Sequence, residues 1–592
     1  MNYKTIYERK SYMKKYTSLV LSVLLVGSLI LGCGVAGTAC AAEQIPTTVT
    51  AGQDNESLNS EASLITLSDS GVSFTGEGVS LSGSTVTISA EGSYILTGTL
   101  SQGQIRIDAP EDAKVKLLLN GVSLSNSGDA AIYALSADKV VLSTVSGSVN
   151  LIASSGEFST DSNVDAAIFS RCDLTLSGEG VLNVSCAANH GVVSKDDLKI
   201  KSGTIYVEAG GKALCGKDSV TVEGGNISVD CMGDAISTTN SEDAGKGGIT
   251  VLGGSLNLLT RKAGLDATGD ILIEDGSIVI SAGDSNVRSG KGVKSDASIT
   301  VNGGTLKVDA VDDAVHAADA VIVNGGSLTL STGDDGIHAD NTLTVNAGEL
   351  NVTGSYEGLE ANDILIAGGK ISIVAQDDGI NAAGGNDGSN SWGMFGGDPF
   401  GGETGSTLTI SGGTLRINAM GDGLDANGEL IVTGGVTYVS GPTNSGNGAM
   451  DYGTGASING GTVIAVGAAG MAENFGSGST QGSILLNLSS TQAAGSTVSI
   501  ADENGNVLAS FQPDKNYSSV VISTEGMVQG GTYTVTAGTE TQTITLDSLI
   551  YGSGMGMGGF GNPGMGGQPG GQMGGFGGPG MGGQPGGHGH NW

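Results

Sequence analysis

A fixed spacing of glycines constrains this chain more than any other feature. From Gly303 the sequence reads GGTLKVDAVDDAVHAADAVIV, GGSLTLSTGDDGIHADNTLTV, AGELNVTGSYEGLEANDILI and GGKISIVAQDDGINA. The second residue of each opening pair falls at Gly304, Gly326, Gly348 and Gly369, in steps of 22, 22 and 21 residues. A period in this range is the signature of a solenoid. Apolar residues alternate after the glycines (Leu306/Val308, Leu328/Leu330, Leu350/Val352, Ile371/Ile373) and again at the close of each repeat (Val321/Val323, Leu343/Val345, Ile364/Ile366). A single apolar residue lies between them: Val315, Ile337, Leu359, Ile380. Alternation with period two means strands with one buried face, and Gly, Asn and Asp between them make corners. Three strands in about 22 residues describe one coil of a parallel β-helix. The expected fold is all-β: a right-handed parallel β-helix followed by a small antiparallel β unit. Left-handed coils use hexapeptide units, and none occurs; nor does the Leu-x-x-Leu-x-Leu-x-x-Asn frame of leucine-rich repeats.

Acids recur in register with the apolar stripe. Asp313, Asp335, Glu357, Asp378 and Asp422 occupy one position of successive coils, and Asp312, Asp334 and Asp377 precede three of them. Just past the single apolar residue come His316, His338, Glu360, Asn381, Asp425 and Asp451. Neighbouring coils stack about 4.8 Å apart. Two bare carboxylates at that distance repel by about 3 kcal/mol at an effective dielectric near 20. Calcium–oxygen bonds of about 2.3–2.6 Å, doubled, match the rung spacing, so one Ca²⁺ could bridge carboxylates on adjacent coils. A solvated acidic edge with counterions and partial protonation is the other reading. In earlier coils lysines stand in these positions, Lys212 and Lys291 in the first column and Lys294 in the second, with Lys195 and Lys217 two residues beyond it. Such lysines either replace a metal by bridging acids or bind a ligand.

The chain has 592 residues and a formal net charge of −35, which argues against a nucleic-acid partner. Aromatic residues make up 4%, too few for a wide platform against crystalline polysaccharide.

Lys14 and Lys15 precede the apolar run Leu19–Leu31, read as a secretion signal over residues 1–32. Ile30-Leu31-Gly32-Cys33 resembles a bacterial lipoprotein box, which would make Cys33 the lipid-bearing residue; ordinary cleavage near Ala39-Cys40-Ala41 is the competing reading. Either way the mature protein is expected outside the cytoplasmic membrane, anchored at its outer face or secreted. Residues 33–60 form a polar tether, and residues 61–483 the solenoid, with an irregular beginning and full coils clear from Asp165. Two coils carry loops, Asn240–Lys246 and Asp284–Ser289, of the kind where binding groups gather. A longer insertion, Gly384–Ser406, carries Trp392, Phe395 and Phe400, which either stack on sugar rings or fold back onto the coil. Residues 484–550 read as the small β unit, with a hairpin turning at Asn504-Gly505 and strands at Val520–Ile522 and Tyr533–Val535, covering the open end of the solenoid. Residues 551–592 are Gly/Met/Pro-rich and lack core-forming residues; a disordered tail is expected. Cys186 and Cys231 occupy one position two coils apart, beyond disulfide reach. With no Cys-x-x-Cys pair, zinc is not expected.

The opening ITLSDSGVSF, the DAAIFS and SKDDLKI segments and the repeated GGTLxV…DDGI coils together resemble a bacterial carbohydrate-binding domain-containing family over residues 61–550. The resemblance implies a pectate-lyase-like right-handed β-helix that carries calcium and binds cellulose or acidic plant polysaccharide. Carried onto matching positions, it implies calcium ligands at Asp312, Asp313, Asp334, Asp335, Glu357, Glu360, Asp377, Asp378, Asp422 and Asp425. The early-coil lysines depart from that pattern. Three functions are weighed: a non-catalytic, monomeric, surface-anchored polysaccharide binder; a calcium-assisted lyase with Arg261, Arg288 or Lys291 as base; and a calcium-stiffened adhesin.

Overall fold

The computed structural model describes residues 62–158, 163–284, 286, 289–383 and 405–552. Every regular element among them is a β-strand. The chain winds into a β-solenoid of about 14 turns, and each full coil gives one strand to each of three stacks. The first stack runs from Val181–Cys186 through Thr305–Ala310, Ser327–Ser331 and Glu349–Ser355 to Thr462–Gly467. The second is made of short strands such as Val315–Ala317 and Leu424–Ala426. The third is made of strands such as Ala320–Val323 and Glu429–Val432.

The apolar alternation is what fixes the register. Leu306, Leu328, Leu350, Ile371 and Leu415 are successive parallel partners, and all are buried in one continuous core. Slipping any rung by one residue would turn its entire apolar set outward. The corners between third and first stacks need glycine. Gly304, Gly326, Gly348 and Gly369 have φ of 76°, 83°, 97° and 86°, in the left-handed region that side chains resist. A Cβ on Gly348 would also lie 2.8 Å from the Gly326 carbonyl oxygen. Gly348→Ala should therefore cost at least about 1–2 kcal/mol from the backbone alone, read as a lower denaturation midpoint with an unchanged slope.

The solenoid opens with less regular coils: Ser63–Leu67 pairs in parallel with Gly92–Leu100, which pairs with Lys114–Ser127. These longer strands run through the third-to-first corner with no glycine pair, so the 22-residue mark is missing from them. Val79–Ser82 and Thr85–Ile88 form an antiparallel hairpin there.

The C-terminal unit is also built differently in part. Val498–Ala501 and Val507–Phe511 form the expected hairpin within a four-stranded antiparallel sheet that includes Thr532–Ala537 and Glu540–Thr545. Val520–Ile522, however, lies in Tyr517–Ser523, which extends the first stack. That strand runs antiparallel between Thr462–Gly467 and Ser483–Gln492. The four-stranded sheet packs on the outward side of the last coils, where Tyr438, Ile464 and Val466 join Val498, Ile500 and Phe511 in a second apolar cluster. Tyr438 stacks on Phe511 at 4.9 Å, and Arg416 pairs with Asp514 at 2.8 Å. The unit thus covers one side of the rod as well as its edge. Cys172, Cys186, Cys215 and Cys231 are free and buried, and Cys186 and Cys231 lie two rungs apart through Ala209.

Candidate functional site

Two columns of side chains run side by side where the first stack turns into the second. The corner column contains Lys212, Asp234, Lys291, Asp313, Asp335, Glu357, Asp378 and Asp422, held by backbone bonds from each coil to the next, such as Gly336 N–H to the Glu357 carbonyl. The adjoining column is a register of the second stack: Asp266, Lys294, His316, His338, Glu360, Asn381, Asp425 and Asp451 are successive partners. Because the strands are parallel and in register, chemistry repeated in sequence becomes chemistry stacked in space.

The columns change character along the rod. At the N-terminal end lysines answer the acids. Lys212 lies 3.2 Å from Asp234, and Lys294 lies 3.3 Å from Asp266 and 2.7 Å from Asp296. Lys291 lies 2.9 Å from Asp312 and also grips Asp313. Burial pushes the Asp313 carboxyl up, but the His316 contact at 2.8 Å and the Lys291 ammonium outweigh it and hold the carboxyl at about 2. Asp312, Asp313 and Asp334 do come together as a group, with a cation already inside it.

In the middle, Asp335, His338 and Glu360 form a buried trio. His338 Nδ1 lies 2.7 Å from Glu360 and 3.3 Å from Asp335, and Nε2 lies 3.2 Å from Asp340. Burial pulls the imidazole down, yet the two carboxylates outweigh it and raise its pKa.

The C-terminal end is all oxygen. Asp378, Asp422 and Asp425 offer carboxylate atoms within 4.8 Å of one another. Burial first, then mutual repulsion, pushes Asp378 up to about 8, Asp425 to about 7 and Asp422 to about 6. Glu357 is raised to about 9, again mainly by burial, although Asn381 Nδ2 donates to it at 2.9 Å. Glu473 is raised to about 7 by burial and by Asp451 and Asp422. Among the described residues no Lys, Arg or His pairs with any of these six acids. Two buried oxygens here lack a hydrogen-bond partner, Asn381 Oδ1 and Glu473 Oε2. The Asp377 and Asp378 carboxylates pack directly against Gly421, where a Cβ would collide with an oxygen of each.

The acids read from the sequence thus fall into three local groups rather than one uniform ladder. Asp312, Asp313 and Asp334 form the first, Asp335 and Glu360 the second with His338, and Asp378, Asp422 and Asp425 the third. Glu357 faces Asn381, and Asp377 bonds Tyr356. Glu473 escaped notice because it follows the last first-stack strand, Thr462–Gly467, where the repeat has already broken. A further group, Asp173, Asp196 and Asp197, lies at the start of third-stack strands; its signal was the aligned Asp-Leu pairs of neighbouring coils. The Asn240–Lys246 loop spends its groups on itself and on the preceding coil: Asn240 donates to Asp218 at 2.7 Å and Asp243 at 2.9 Å, and Lys246 grips Asp218. Of the bases considered for lyase chemistry, Arg261 pairs with Asp284 at 3.0 Å and Lys291 is held as above. Arg288, Trp392, Phe395, Phe400 and Cys33 lie outside the described residues.

Comparison with known proteins gives consistent results. A protein of Acetivibrio thermocellus described as a carbohydrate-binding domain-containing protein is 34% identical over 223 residues, 37% of this chain and 76% of the relative. A solved structure of the polysaccharide lyase-like protein from C. thermocellum, a gadolinium derivative, aligns at 26% identity over 49% of this chain and 100% of that one, with a TM-score of 0.36. The sequence model of one family matches twice in succession, at residues 82–336 and 334–554, so that nearly all of the described solenoid and its C-terminal unit are covered. The chain belongs to the carbohydrate-binding domain-containing protein family.

Proposed function

We propose that this protein is a non-catalytic polysaccharide-binding protein of the outer cell surface, held there through Cys33, and that calcium at the all-oxygen end of the acid columns serves the binding. The observation that carries the reading is the group Asp378, Asp422 and Asp425: half-buried carboxylates, no paired cation among the described residues, and an unpartnered Asn381 Oδ1 on the rung between Asp425 and Glu360. Calcium takes six to eight oxygen ligands and no nitrogen, and this donor set is oxygen alone. When bound, the ion supplies positive charge that carboxylate- or hydroxyl-rich sugars can share. The protein's own part is to hold the acids in register and, through the missing side chain of Gly421, to let the Asp377 and Asp378 carboxylates pack in against it. Binding is favoured over lyase chemistry because Arg261 and Lys291 are engaged in ion pairs, whereas a base for β-elimination must be free to take a proton.

The test is retention on insoluble cellulose and on immobilised polygalacturonate, with calcium and with chelator. Retention should fall at least tenfold in chelator. Gly421→Ala should weaken calcium binding and retention without changing any charge. Undiminished retention in chelator would remove calcium from the function, and no retention on any polysaccharide would leave a stiffened adhesin. An unsaturated product in the polygalacturonate supernatant would overturn the non-catalytic assignment.

A further inference from the structure

The middle trio has a different chemistry from the acid group above it. The geometry points to a second metal site, built from Asp335, His338 and Glu360, that takes a nitrogen-accepting divalent ion of the Zn²⁺ or Co²⁺ class rather than calcium. The inference does not depend on the calcium reading, because the two groups share no residue.

Donor type is the first argument. His338 is almost wholly buried, at 1% exposure, and its Nδ1 faces two carboxylates, Glu360 at 2.7 Å and Asp335 at 3.3 Å. Tetrahedral bonds of about 2.0–2.2 Å put neighbouring ligand atoms about 3.3–3.6 Å apart; the Asp335 contact has that spacing, and the Glu360 contact would have to open by less than about 1 Å to reach it. Orientation is the second argument. Nε2 lies 3.2 Å from Asp340, an exposed carboxylate that can only accept. The Nε2–H therefore donates to Asp340, and a neutral ring then aims its Nδ1 lone pair at the two acids. A carboxylate holding the far nitrogen of a ligating histidine is the usual outer support of a metal site.

Something positive must stand between that lone pair and the acids, either a proton or a metal. With both carboxylates ionised, a divalent ion beside a neutral imidazole balances their charge. The His316 ring stacks on His338 at 4.8 Å and 10° and itself lies 2.8 Å from Asp313. Calcium does not suit the trio because it takes oxygen, while imidazole suits zinc, copper, iron and nickel. Asp335 and Glu360 thereby leave the calcium set read from the sequence. The absence of Cys-x-x-Cys was no guide, since these ligands come from two coils.

The test uses the full chain carrying His588→Gln and His590→Gln, so that the tail histidines contribute nothing. Titration with Co²⁺ alone should give one bound equivalent with visible d–d absorption, displaced by Zn²⁺ and retained in excess Ca²⁺. Asp422→Asn with Asp425→Asn should leave that band unchanged. His338→Gln should abolish it, and Asp340→Asn should keep it but weaken affinity about 10–100-fold. A spectrum that does not appear, that survives His338→Gln, or that is displaced by an equivalent of Ca²⁺ overturns the site. If His338→Gln does not fold, Asp340→Asn decides: affinity equal to that of the parent chain overturns it.

Discussion

In chelator, the folded protein should lose stability as the pH rises from about 4 to about 8, and calcium should abolish the loss. Asp422, Asp425 and Asp378 are raised to about 6, 7 and 8 in the folded chain, chiefly by burial. An unfolded aspartate ionises near 3.9. Between these values the native state keeps protons that the unfolded state has released. Stability therefore declines with pH, by about 1.4 kcal/mol per unit for each proton so held. The contribution is fully present below about pH 4 and gone once the pH has passed the folded values. Because the carboxyls repel one another, their protons leave in sequence, so the slope at any one pH should correspond to about one or two protons. Calcium binds the ionised form and makes the charge an advantage, so the slope should flatten or reverse. Thermal melts from pH 4 to 9, in chelator and in millimolar calcium, read this directly. A flat profile in chelator would mean that water already solvates these acids. Identical profiles with and without calcium would remove the metal.

Lys291→Ala should be among the most damaging single substitutions in the rod, and calcium should rescue it. Lys291 contacts both Asp312 and Asp313, and Asp313 is only 2% exposed. Removing one partner of a buried pair leaves an uncompensated charge, at a cost of about 3–5 kcal/mol. The vacated position would be surrounded by the carboxylates of Asp312, Asp313 and Asp334, with His316 still 2.8 Å from Asp313. The variant should gain one calcium by titration calorimetry and recover much of its melting temperature when calcium is added. Parent-like stability in chelator would show that the lysine is dispensable. Instability that calcium leaves untouched would show that the two acid groups are not equivalent.

The repeat made the coil legible because its two determinants are local. A glycine that must adopt a positive φ, as at Gly326, and a Leu-x-Leu alternation, as at Leu328 and Leu330, each act within a few residues and recur unchanged. The acid columns were legible for the same reason: register turns a repeat into a stack. What could not be read was the partnership across rungs. Whether Asp313 meets a metal or an ammonium depends on Lys291 reaching it from the coil below, a matter of side-chain length and rotamer that periodicity does not encode. His338 was visible as a column member, but its place between Asp335 and Glu360 was not. Glu473 was missed because it lies past Thr462–Gly467, where the repeat has already broken. Val520–Ile522 has the same alternation in a parallel rung as in an antiparallel one, so its assignment to the small sheet rested on its neighbours in sequence.

That last strand has a wider consequence. Growth by stacking carries no instruction to stop, since each new layer offers the next the same row of unpaired amides and carbonyls. Tyr517–Ser523 lies against Thr462–Gly467 in the opposite direction and is itself covered by Ser483–Gln492. Reversed a second time, Ser483–Gln492 regains the direction of the coils, but its first residues are already paired with Ile550–Tyr551, so a second molecule meets only part of an open edge. The number of repeats sets how long the rod is, and the reversed strand with its cover marks where stacking ends.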